Sequence, residues 1–167
     1  MSATPHGTPS RITVCVMTKS PLPGAAKSRL ARGIGEERAS RIARAMIADT
    51  WAWIGAVAAI VEPVLVLQGP KRALPPLDPP PRIWRQRAGD LGSRLESALR
   101  RAARESGGGA IAVGTDAVGL PPERLICAAE ALGRGRTVLG PTNDGGYYLM
   151  GIPARPPLPA TRPFSRR

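Results

Sequence analysis

Short runs of consecutive apolar residues alternate along this chain with longer stretches whose apolar positions recur at three- and four-residue spacing. Ile12–Met17 (I-T-V-C-V-M) is an apolar run rich in β-branched residues, which predicts a strand buried on both faces. Pro63–Leu67, Ala110–Val113, Thr137–Leu139 and Tyr147–Ile152 read as further strands, and Ile83–Gln86 as a short one. A helix is predicted from Gly35-Glu36-Glu37 to about Ala56, its first turn acidic as the helix dipole favours. Ala39, Ile42, Ala43, Met46, Ile47, Thr50 and Ile54 share one side of it, with Arg38, Arg41 and Arg44 on the other. Trp51 and Trp53 are expected as core and edge packing. A second helix follows Gly89-Asp90-Leu91-Gly92 through Leu95, Ala98, Leu99 and Ala102, with Asp90 as N-cap. A third begins at Pro121-Pro122-Glu123 and runs to about Leu132. Residues 70–82 are proline-rich and predict an extended surface connection. This alternation predicts an α/β three-layer sandwich with a mostly parallel sheet. Ile12–Met17 and Ala110–Val113 should be neighbouring inner strands, with helices on both faces.

A chain of 167 residues suits one domain with a real core. That domain is expected over residues 11–152, between an unstructured tail at 1–10 and a Pro/Arg-rich tail at 153–167. Cys15 and Cys127 lie in apolar surroundings without metal-site spacing and are expected as reduced core residues. His6 is the only histidine, so histidine-based catalysis is not expected. The first ten residues do not have the charged start and apolar core of a secretory signal. Residues 45–61 are the most apolar window, but Asp49 and the short length predict a buried helix rather than a membrane span. The expected location is the cytoplasm. A net charge of +12 favours anionic partners such as nucleotides. No basic block is interleaved with aromatic residues, so a specific nucleic-acid partner is not expected.

In open α/β sheets, ligands bind beyond the carboxyl ends of the strands. Three polar clusters are expected there. The first is K-S-P-L-P-G-A-A-K-S-R-L at 19–30, where Pro21 and Pro23 end the strand and Gly24 allows a close turn. Lys19, Lys27 and Arg29 supply charge, and Ser28 a hydroxyl, as a phosphate site requires; the alternative for this loop taken alone is an ordinary solvated basic loop. The others are Gly114-Thr115-Asp116 and Asn143-Asp144-Gly145-Gly146. Asp116 and Asp144 together would offer Mg²⁺ or Mn²⁺ two carboxylates, the rest of the shell coming from substrate phosphate and water. Each aspartate also has an ordinary role as a turn residue, and N-D-G-G is a strong turn signal.

The segments K-S-P-L-P-G-A-A-K-S-R-L, D-T-W at 49–51, Q-R-A-G-D-L-G-S-R-L at 86–95, G-T-D-A-V-G-L at 114–120 and G-P-T-N-D-G-G-Y-Y-L-M-G at 140–151 occur in this order. In them the chain resembles the bacterial glycosyltransferase A-like family labelled radical-SAM/selenodomain-associated transferase, placed in arsenosugar biosynthesis in some genomes. The resemblance implies the nucleotide-diphospho-sugar transferase fold, Rossmann-like, shared with phospholactate and molybdenum-cofactor guanylyltransferases. It implies nucleotide-binding roles for Lys19, Gly24, Lys27, Ser28 and Arg29, then for Gln86, Gly89 and Arg94, and for Gly145 and Gly146. Asp116 corresponds to the metal-holding aspartate, and Asp90 and Asp144 are catalytic candidates by location. Val118 stands where the family has proline, and related chains continue past a phenylalanine like Phe164, so the last elements of the fold are expected to be missing. The function implied is a metal-dependent transferase using a nucleotide sugar and a small-molecule acceptor. The alternatives are a nucleotidyltransferase taking a nucleoside triphosphate and releasing pyrophosphate, or a truncated, non-catalytic nucleotide-binding remnant.

Overall fold

The first strand, β1 (Ile12–Lys19), is buried at every position but its last and lies inside a six-stranded sheet. The computed structural model describes residues 11–117 and 119–154; the expected tails at 1–10 and from 155 onward, and Val118, lie outside the described residues. A short helix α1 (Ser28–Ile34) and a long one, α2 (Glu36–Gly55), lead to β2 (Val61–Gln68). After the proline-rich connection come β3 (Arg82–Arg85), α3 (Leu91–Ser106) and β4 (Ala110–Gly114). Helix α4 (Glu123–Gly133) and the hairpin of β5 (Val138–Pro141) and β6 (Tyr147–Ile152) complete the described chain. The sheet order is β3-β2-β1-β4-β6-β5. The first four strands are parallel, and β6 runs antiparallel to both β4 and β5. The expected α/β sandwich with β1 and β4 adjacent is therefore the observed one.

Double-faced burial follows from the alternation of side chains along each strand. Val14, Val16, Ile111, Val113 and Leu65 face α2 and α4, meeting Trp51, Ile54, Leu125 and Leu132. Cys15, Met17, Val64, Val66, Ala110 and Ala112 face α3, meeting Leu95, Ala98, Leu99 and Ala102. Beside Met17, the α3 face of the central strands carries small residues, Cys15, Ala110 and Ala112, in the same cluster as Ala98 and Ala102. Trp84 of the edge strand β3 extends this layer, with the Arg101 guanidinium 4.0 Å from its ring centre.

Four local expectations need correction. No element was expected over α1, a seven-residue helix that buries no side chain fully and whose apolar positions are limited to Leu30, Ala31 and Ile34. Strand β2 starts before Pro63, and tolerates it because β3 joins only from Val64 onward. On α2, Ile42 is exposed, whereas Arg44 is half-buried and donates to the carbonyl of Ala73. Cys127 is exposed, because Leu125, Ala128, Ala129 and Leu132 form the buried face of α4 and leave position 127 outward. Cys15 is fully buried, and burial pushes its thiol up to about 12. Of the two cysteines, only Cys127 is expected to react with a disulfide reagent in the native state, the second thiol appearing on denaturation. Two fast equivalents in the native protein would contradict this packing.

Candidate functional site

Strand order reverses between β1 and β4: the chain goes from β1 to β2 on one side, and β4 is added on the other. Beyond the carboxyl ends of these strands lies a cavity of about 640 Å³. It sits at the position where a doubly wound sheet leaves a crevice. Lys19 reaches it from the end of β1, Lys27, Ser28 and Arg29 from the loop into α1, and Gln86 and Arg94 from β3 and α3. Gly114, Thr115 and Asp116 line it from the end of β4, and Tyr147 and Tyr148 from β6.

The loop between β1 and α1 is pinned by side chains with short, defined partners. Ser20 Oγ donates to the Pro70 carbonyl at 2.8 Å, and the buried Ser40 of α2 donates to the Pro21 carbonyl at 2.6 Å. Gly69 makes the first of these contacts possible: its φ is +103°, and a Cβ there would lie 2.8 Å from the Cβ of Ser20. Lys27 ends the loop with φ 55° and ψ 43°, the sole non-glycine residue at positive φ among the described residues. That left-handed backbone costs on the order of 1 kcal/mol for a residue with a Cβ. It turns the Lys27 side chain, 19% exposed, onto the carboxylate of Asp116.

Gln86 ties the strand ends together. Its Nε2 donates to the carbonyls of Thr18 and Val66, both at 2.9 Å, and its backbone N–H donates to Leu67 at 2.9 Å. Asp90 caps α3, its Oδ1 accepting from the Ser93 N–H at 2.7 Å. That bond holds its carboxyl below the usual carboxylate range. A carboxylate engaged in this way is a helix cap, and it is not among the cavity's lining groups.

The two aspartates expected to act together differ in their surroundings. Asp116 is the one carboxylate lining the cavity among the described residues, whereas Asp144 closes the β5–β6 hairpin. Asp144 Oδ1 accepts from Thr142 Oγ1 and, at 3.0 Å, from the Gly146 N–H. The hairpin that carries Asp144 leads into β6, the neighbour of β4 in the sheet. Gly145 and Gly146 belong to the same hairpin and do not line the cavity. Gly24 lies against the carboxylate of Glu36, and Gly89 against Ser93, both outside the lining. Among the described residues no group of three or more His, Cys, Asp or Glu side chains could hold a metal ion. Within the cavity lining, Asp116 is the carboxylate that Mg²⁺ or Mn²⁺ would use, jointly with a ligand's own oxygens.

Thr115 lines the cavity with the cluster in which the sequence placed it, whereas sequence reading passed over Gln68 as a partner of Arg94. Leu30 and Leu91 were also missed; both line the cavity, with Leu91 55% exposed. The rule that found Asp116 applies equally to Gln68, the last residue of β2, but an amide carries no charge to draw attention.

No helix of the described residues is long and apolar enough to cross a membrane. No functionally curated protein matches the chain. Among solved structures, a crystal structure from Desulfovibrio desulfuricans G20, provisionally named a nucleotide-diphospho-sugar transferase, superposes with a TM-score of 0.74 at 25% identity. The match covers 87% of this chain and 64% of that one, so the chain spans less than two thirds of that protein's length. A hypothetical transferase structure from Thermus thermophilus aligns over 86% of this chain and 66% of its own, at 20% identity and a TM-score of 0.44, too low to carry an inference. The chain thus has the fold of nucleotide-sugar and nucleotidyl transferases and a distant relationship to one so named. The family described as "Uncharacterized protein conserved in bacteria (DUF2064)" matches residues 56–166, and the chain belongs to that family.

Proposed function

We propose that this chain binds the nucleotide-activated donor, a nucleotide sugar, of a transferase reaction. One observation carries the reading: Lys19, Lys27, Arg29 and Arg94, from separate parts of the chain, converge with Asp116 on a single cavity at the sheet's switch point. A sugar transfer leaves a nucleoside diphosphate, whose developing charge is stabilised by cations held in place beforehand. Asp116 would hold Mg²⁺ or Mn²⁺ together with the donor's phosphate oxygens. Lys27 is bound to Asp116 before any donor arrives, so the two would separate as Lys27 turns to phosphate. The apolar surfaces of Leu30 and Leu91 offer a wall for the base or the sugar face. Asp90 and Asp144, already engaged elsewhere, are poor candidates for a general base. The acceptor is a small molecule on this reading.

Calorimetric titration with UDP, GDP and their sugar conjugates, with and without Mg²⁺, tests this directly. Binding strengthened by Mg²⁺ is expected. Asp116→Asn is expected to remove that enhancement and, because it releases Lys27, to tighten metal-free binding. Release of nucleoside diphosphate from a sugar nucleotide would support glycosyl transfer; pyrophosphate release from a triphosphate would assign nucleotidyl transfer instead. Failure of every nucleotide to bind would retire both.

A further inference from the structure

The guanidinium of Arg94 is held by three oxygens, and none of them is charged. Nη1 donates to Oε1 of Gln68 at 2.9 Å and to Oε1 of Gln86 at 3.1 Å, while Nε donates to the backbone carbonyl of Asp90 at 3.2 Å. The Gln86 amide cannot face the other way. Both hydrogens of its Nε2 are taken by the Thr18 and Val66 carbonyls, which leaves Oε1 for Arg94. Gln86 is thus locked by the backbone of two strands, and it locks Arg94 in turn.

Other arginines of α3 are treated differently. Arg100 pairs with Glu96 and Arg101 with Glu105, each at 2.8 Å. The ion pairs of the described residues include none to Arg94. The acidic residue nearest in sequence, Asp90, turns its carboxylate to the Ser93 N–H. Arg94 therefore combines a fixed geometry with a charge that no ion pair among the described residues neutralises, the capped Asp90 carboxylate feeling it only as a minor influence, and it lines the cavity. A carboxylate at position 68 or 86 would orient the guanidinium just as well but would neutralise it. A glutamine orients it and leaves the charge available.

We propose that Gln68, which does not itself line the cavity, is a positioning residue that holds Arg94 in an uncharged cradle, making its guanidinium the fixed anchor for a phosphate group of the bound ligand. This rests on reading the cavity as a nucleotide diphosphate site. Gln68 is exposed at the end of β2, so its substitution does not disturb the core.

Gln68→Glu separates this role from a merely structural one. It has the same shape and keeps the acceptor oxygen, and it strengthens the bond to Arg94. A structural role predicts an unchanged or raised melting temperature and unchanged ligand affinity. The proposal predicts the same melting behaviour but weaker binding of inorganic pyrophosphate and of UDP or GDP, by a factor of about three to five. In an Arg94→Ala background, Gln68→Glu should have no further effect, because the charge it cancels is gone. Gln68→Met, which keeps the shape and removes the acceptor, should weaken binding to a smaller degree. Parental affinity in Gln68→Glu, or in Arg94→Ala, would overturn the inference while leaving the cavity's assignment intact. Failure of the parent protein to bind pyrophosphate or any nucleoside diphosphate would overturn both.

Discussion

Lys27→Gly combined with Arg29→Ala is expected to weaken binding of a nucleoside diphosphate at least roughly tenfold, since charge-assisted contacts to phosphate contribute about 1.5–3 kcal/mol each. Glycine is the better replacement at position 27, because it adopts φ 55° without strain and isolates the loss of charge. The loss should exceed that of Arg29→Ala alone by more than the removal of one cation. Without Lys27, the Asp116 carboxylate stands unpaired beside the incoming phosphates. Arg29 is exposed on α1, and neither Lys27 nor Arg29 belongs to the two apolar core clusters, so the melting temperature should stay within a few degrees of the parent. Paired calorimetry and thermal unfolding check both halves. Equal titration curves for variant and parent would remove the loop from the site.

The largest effect on stability is expected at Leu99. It is fully buried on α3 and packs in the layer formed with Met17, Val64 and Leu95. Leu99→Ala removes buried methyl groups and leaves a cavity between α3 and the sheet, which costs about 2–5 kcal/mol. For a chain of this length that is a fall in melting temperature of roughly 5–15 °C. Leu139→Ala serves as the control: its side chain is 54% exposed on the outer strand, and the change should stay within about 0.5 kcal/mol. Similar unfolding midpoints for the two variants would mean that α3 is not seated as described.

The strands β1 and β4 were legible because consecutive apolar residues leave no polar face, and only an inner strand of a doubly covered sheet tolerates that. The Asp90 cap was legible for a similar reason, since the signal is local and confined to one turn. Other features depend on distances that a sequence does not encode. Asp116 and Asp144 each follow a strand, but Asp116 lines the cavity whereas Asp144 is bonded within its own hairpin. Short α1 was missed because it is held by the loop before it and α2 after it, with no buried stripe of its own. Cys127 was assigned to the core on its apolar neighbours, yet one helical step turns it to solvent. Gln68 lay at a strand end like the others; its importance comes from what it leaves uncancelled, which only the placement of Arg94 makes visible.

The small residues between α3 and the sheet, Cys15, Ala98, Ala102, Ala110 and Ala112, work as a spacer of fixed thickness. Arg94 rides on the first turn of that same helix, so the spacer sets how far its guanidinium stands from the strand ends. A single added methyl group in this layer would lift the helix as a rigid bar and shift the charge at its tip. Affinity at the cavity would then change through residues that never approach a ligand. In a set of related chains, side-chain volume in this layer is where tuning of the site would be inherited without any alteration of its chemistry.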